Sequence, residues 1–138
     1  MEVRTNSQKQ TQKVGADFAK SLKAGDIVAL FGDLGAGKTV FVKGMARGLG
    51  IKGKITSPTF VFVKTYKLKS GPFHHVDLYR GKATKDFKSL ALNEIFAPDA
   101  ITVVEWADRL HKFLPKKRWE VKIEKIDENK RRITITKH

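Results

Sequence analysis

Residues 27–39 read IVALF-GDLGAGKT. The first five, Ile27–Phe31, form an unbroken apolar run, the pattern of a strand buried on both faces. Residues 32–39 then match G-x-x-x-x-G-K-[ST], a phosphate-cradling loop. Gly32, Gly35 and Gly37 let the backbone turn tightly and point successive N–H groups inward. With the positive end of a following helix, such donors suit phosphate oxygens. That helix is predicted by Val40, Phe41, Met45 and Leu49, with Gly48 and Gly50 as stop signals. A glycine-rich turn with a solvent lysine is the plainer alternative, and strand–loop–helix context argues against it. Asp33, Leu34, Gly35, Ala36, Gly37, Lys38, Thr39 and Val40 are therefore candidate nucleotide-binding residues. Lys38 is placed to reach terminal phosphates, and Thr39 to offer its hydroxyl to magnesium.

On the N-terminal side, Val14, Phe18 and Leu22 fall four apart with Ala19 beside them, predicting an amphipathic helix over 10–23 that ends at Gly25-Asp26. On the C-terminal side, Phe60, Phe62 and Thr65-Tyr66 mark a β-prone run from Thr59 to Lys67. Ser70-Gly71-Pro72 reads as a turn, and Phe73–Tyr79 as the second strand of a hairpin. Phe87, Leu90, Ala91, Glu94 and Ile95 predict a helix over 84–96, stopped by Pro98. Ile101–Val104 reads as another buried strand, closed by Glu105-Trp106. Leu110, Phe113 and Leu114 suggest a short helical turn before Pro115. Alternation at Trp119, Val121 and Ile123, and again at Ile133 and Ile135, around Asp127-Glu128-Asn129 predicts a final hairpin.

A chain of 138 residues suits one compact domain with a real core and little room for a second. At 41% apolar and 30% charged, it has the balance of a soluble globular protein. No apolar run approaches a membrane span, and MEVRTNSQKQ lacks the apolar core of a secretory signal. The absence of cysteine excludes disulfides and thiolate metal sites and fits a cytoplasmic protein. Net charge is +14, which favours polyanions; a general lysine bias accounts for it equally, since the lysines are scattered. The densest basic clusters are Lys116-Lys117-Arg118 and Lys130-Arg131-Arg132. His74, His75, His111 and His138 show no metal-ligand spacing, and His74 and His75, adjacent on a strand, point to opposite faces. A nucleic-acid module that merely carries a phosphate loop lacks support, because the aromatics do not cluster with lysines on one strand face.

A phosphate-loop protein also needs an acid near its metal, usually at the end of an apolar strand. Glu105, closing ITVVE, fits, and Asp77 in HHVDLYR is a second candidate. No Asn-Lys-x-Asp guanine-reading motif is present, which disfavours GTP, and the chain is short for a nucleotide kinase with its own lid.

Taken in order, GDLGAGKT (32–39), SPTF (57–60), Tyr66, HVDLYR (75–80) and VVEWADRL (103–110) resemble the TsaE family, the bacterial ATPases of tRNA threonylcarbamoyladenosine synthesis. The resemblance runs from about Gln10 to the final hairpin. It implies an α/β fold, a small P-loop NTPase-like three-layer domain with a mixed central β-sheet flanked by helices. It implies slow hydrolysis of ATP with Mg2+, in support of turnover by the TsaB and TsaD proteins, which carry out the transfer to tRNA. By matching position, Lys38 and Thr39 keep their loop roles, and Thr59 in the switch-type SPTF loop senses the γ-phosphate or the metal. Asp77 matches an acid near magnesium, and Glu105 the acid that orients or activates the attacking water, with either able to be the closer metal partner. Trp106 belongs to the functional site by resemblance, whereas pattern alone reads it as a core or rim aromatic. Arg80 is placed equally for phosphate, for a partner, or for an ordinary ion pair. Val40 stands where the family often has a second threonine, and the strong basic charge is unusual for it, raising direct tRNA contact as an expectation. The alternative function is a nucleotide-dependent scaffold in which ATP orders an interface and hydrolysis is incidental.

Overall fold

The computed structural model describes residues 1–56, 62–79 and 91–138. Its strands are β1 (Glu2–Thr5), β2 (Ile27–Phe31), β3 (Val63–Leu68), β4 (Gly71–Asp77), β5 (Ile101–Glu105), β6 (Trp119–Lys125) and β7 (Arg131–Lys137). Its helices are α1 (Gln8–Ala19), α2 (Lys38–Gly48) and the single turn α3 (Leu92–Ile95), with a 3-10 segment at Ala107–Phe113. The strands form one mixed sheet in the order β1-β7-β6-β2-β5-β4-β3. Its centre is parallel, with β2 between β6 and β5 and β4 beyond β5. Antiparallel strands extend both sides: β7 and β1 beyond β6, and β3 beyond β4.

The apolar run of β2 is buried on both faces because successive side chains enter different cores. Val28 and Leu30 pack with Phe18, Phe41 and Met45 beneath α1 and α2. Ala29 faces Val76, Leu78, Ile95, Val104 and Leu110 on the other side, under α3 and the 3-10 segment. The result is three layers, helices on both faces of a sheet. α1 and α2 approach so closely that a Cβ on Gly15, Gly44 or Gly48 would collide with the backbone of the facing helix.

Helix α1 starts two residues before the predicted start, since Ser7 caps it: Gln10 N–H donates to Ser7 Oγ at 3.1 Å and Gln10 Oε1 accepts from Asn6 N at 2.6 Å. It ends at Ala19, short of the predicted 23, and the chain continues as turns with Ser21 N bonded to Phe18 O and Leu22 N to Ala19 O. Helix α2 ends as its glycines predict: Gly50 N bonds Arg47 O and Ile51 N bonds Ala46 O, a Schellman closure with Gly50 at φ 90°.

The turn expected at Ser70-Gly71-Pro72 lies one residue earlier, at Lys69-Ser70, and Gly71 and Pro72 are the first residues of β4. Pro72 pairs with Lys67 of β3 and precedes the first β5 partner, Phe73, so its missing N–H falls outside the parallel ladder. Strand β1 was not predicted, having only Val3 as an aliphatic residue. It is held by pairing with β7 and by the Thr5–Thr11 hydroxyl bond, 2.7 Å long and buried. Of the helix expected over 84–96, only Leu92–Ile95 lies within the described residues as a helix.

Candidate functional site

The parallel strands β2, β5 and β4 bring their C-terminal ends to one edge of the sheet, where open α/β folds bind ligands. Register does the assembly. Glu105, last in β5, pairs with Leu30 on one side and with Asp77, last in β4, on the other. Two strands remote in sequence thereby place their terminal acids beside the loop that leaves β2.

The loop is a turn, with Ala36 N bonded to Asp33 O at 3.0 Å, that opens into α2 at Gly37. Gly37 sits at φ 107°, a conformation that L side chains rarely adopt, and it supplies no side-chain cap. The first N–H groups of α2 are thus left for a ligand at the positive end of the helix. Lys38 is buried, its Nζ donating to Gly32 O (2.5 Å) and Asp33 O (2.9 Å) and lying 4.2 Å from the centre of the Trp106 ring. Burial pulls its pKa below the ordinary lysine value, against the opposing pull of Glu105 and Asp77. Thr39 Oγ1 lies 3.4 Å from Glu105 Oε1. Asp77 is half-buried, and its pKa is raised by burial and then by the like charge of Glu105.

A cleft of about 430 Å³ opens over these groups. Leu34, Gly35, Gly37, Lys38, Thr39, Val40, Asp77, Glu105 and Trp106 all line it. Asp33 lines a different depression, together with Lys122 and Lys125, and its carbonyl accepts from Lys38 Nζ. Ala36 is buried beneath the loop. Thr59 and Arg80 lie outside the described residues.

Trp106 stands between the core and the cleft. It packs against the core under β5, and its ring forms a wall of the cleft. It holds the left-handed conformation, φ 59° and ψ 40°, rare for a bulky side chain, at the turn that follows Glu105. Tyr79 lies 5.2 Å from it ring to ring, and the Arg109 guanidinium lies 5.2 Å from its centre.

Sequence reasoning missed His75, Tyr79 and Arg131. Arg131, from β7, donates through Nε to Ala36 O at 2.7 Å and through Nη2 to Gly35 O at 3.4 Å, anchoring the outer arm of the loop. No local signal tied it to residues nearly a hundred positions earlier. The signal available for His75 is its spacing of two from Asp77 in HHVDLYR, which puts both on one strand face. The structure finds His75 fully buried against Glu105, and His74 bonded to Thr65 on the other face.

Fold and site together define a P-loop α/β protein, with the loop, a hydroxyl and two carboxylates gathered at the ends of parallel strands. The family described as "Threonylcarbamoyl adenosine biosynthesis protein TsaE" matches residues 5–133. The chain is 38% identical over 133 residues to the TsaE protein of Bacillus subtilis, covering 96% of this chain and 83% of that one. It is 34% identical to that of Treponema pallidum, covering 95% and 96%. The crystal structure of Bacillus subtilis YdiB superimposes with a TM-score of 0.83 at 35% identity, over 99% of this chain and 84% of that one. The chain belongs to the TsaE family of threonylcarbamoyladenosine biosynthesis proteins.

Proposed function

We propose that this chain is a Mg2+-dependent ATP-binding and ATP-hydrolysing subunit of the tRNA threonylcarbamoyladenosine system, acting in the cytoplasm as a single domain that supports turnover by TsaB and TsaD. The observation that carries this reading is the meeting of Lys38, Thr39, Asp77 and Glu105 in one cleft beneath an uncapped helix start. In this reading the α2 N–H groups and the loop backbone hold the β- and γ-phosphates, and Lys38 exchanges its loop carbonyls for phosphate oxygens.

The residues present fit magnesium. Thr39, Asp77 and Glu105 offer hard oxygen donors, and Asp77 and Glu105 lie opposite each other at the ends of paired strands. Among the described residues no group of three or more His, Cys, Asp or Glu forms a closed metal cage. When bound, magnesium neutralises phosphate charge and orients its oxygens. Thr59 is proposed to sense the γ-phosphate or the metal.

Glu105 Oε1 accepts a proton from the water that attacks the γ-phosphorus. The bond from that phosphorus to the β–γ bridging oxygen breaks, the bridging oxygen leaves with ADP, and inorganic phosphate forms. A partner surface completes the site, since Leu34 at 70% and Tyr79 at 44% exposure stand apolar at its mouth. Closing it would exclude water and strengthen every charge interaction within. Calorimetric titration with Mg-ATP tests the reading: saturable one-site binding, lost in Lys38→Ala, is expected, and absence of binding by the unaltered chain would refute it.

A further inference from the structure

His75 has no accessible surface, and its Nε2 lies 2.5 Å from Glu105 Oε2. Its other nitrogen, Nδ1, is buried without a hydrogen-bond partner among the described residues. For Glu105 to accept this bond, the proton must sit on Nε2. A leucine or phenylalanine would fill such a space without leaving a polar atom unsatisfied. Packing therefore does not account for an imidazole here. Its one contribution is a single oriented hydrogen bond.

That bond falls on a residue with two distinguishable oxygens. Oε2 points to His75 in the interior, while Oε1 faces Thr39 in the cleft. Glu105 itself is only 2% exposed, so rotation of its carboxylate would carry an oxygen away from the cleft into the buried interior. Strand pairing supports the geometry, since His75 lies opposite Val103 and Asp77 opposite Glu105, on the same face of the same ladder. We propose that His75 is a positioning residue that holds Oε2 of Glu105 through Nε2–H, so that Oε1 alone is presented to the nucleotide. This rests on the reading of Glu105 as the group that accepts the water's proton.

The test compares His75→Leu with His75→Gln, whose amide Nε2 can replace the imidazole donor, in the full chain with TsaB and TsaD present. His75→Leu is expected to lower kcat roughly 10–100-fold, the range for loss of an orienting partner, with the Kd for ATP unchanged. His75→Gln should recover most of that loss, and His75→Leu should cost nothing further in a Glu105→Gln background. Full kcat in His75→Leu would overturn the proposal, as would equal loss in both variants. If His75→Leu does not fold, long-range 1H–15N spectra of the unaltered chain decide: Nε2 protonated and Nδ1 bare is expected, and the opposite tautomer overturns the hold. A chain that binds and hydrolyses no ATP would instead overturn the functional reading, leaving the tautomer to judge the His75–Glu105 bond by itself.

Discussion

Glu105 and Asp77 sit side by side at the ends of two strands, and their substitutions separate binding from chemistry. Glu105→Gln keeps the shape and removes the base. ATP binding should persist while hydrolysis falls by about 10²–10⁴-fold, the usual span for a lost general base. If modification of tRNA over many turnovers then stops, hydrolysis matters; if it continues at the normal rate, the scaffold reading takes its place. Asp77 carries a stability signature. Its carboxyl is held above the model-compound value of 3.8, so the folded chain binds that proton more readily than the unfolded one. The stabilising effect of protonation is therefore full below pH 3.8 and is lost as pH rises through the folded-state pKa, leaving a cost at neutral pH. Asp77→Asn, which can still accept the Tyr79 N–H, should raise the Tm of the nucleotide-free chain at pH 7. A higher Tm is expected at pH 7, the gain vanishing in acid, with hydrolysis lost. An unchanged or lower Tm in EDTA would contradict it. Lys38, Thr39 and Glu105 were legible in the sequence because each is marked by its immediate neighbours. His75 and Arg131 were not, because their roles arise from partners 30 and 95 residues away.

At the scale of elements, the join between α1 and α2 sets the position of the loop, since α2 begins at Lys38. That join depends on close backbone approach. A Cβ on Gly44 would overlap the Gln12 carbonyl, whereas one on Gly53 meets nothing within 4 Å. Gly44→Ala should destabilise the chain by about 1–3 kcal/mol through overpacking, read as a shift in urea midpoint, and Gly53→Ala should leave it nearly unchanged. Equal midpoints would show that the helices can separate without cost. The buried strands, the loop, helix α2 and the last hairpin were readable from periodicity and glycine placement. The four-residue β1 was hidden because pairing with β7, rather than apolar pattern, holds it. Pro72 also misled, marking a turn by composition while tertiary pairing draws it into β4.

Across the whole molecule, charge and site have to be weighed separately. The net charge is +14, yet the densest basic clusters are partly engaged internally. Arg118 pairs with Glu120, Arg131 holds the loop, and Arg132 meets Glu124 and Glu2. Any tRNA binding by the isolated chain should therefore be weak, equal for unrelated RNA of the same length, and steeply reduced by salt, as counterion release requires. Salt-resistant preference for tRNA in a filter-binding titration would show a dedicated RNA surface. Among the described residues no helix is long and apolar enough to cross a membrane. The central claim is that the cleft turns over ATP in service of a partner enzyme. The most direct measurement is steady-state ATP hydrolysis with Mg2+, by the chain alone and then with TsaB and TsaD, beside Lys38→Ala under both conditions. Slow hydrolysis alone, strong stimulation by the pair, and loss of both in Lys38→Ala are predicted; no stimulation, or equal turnover in Lys38→Ala, would contradict the account.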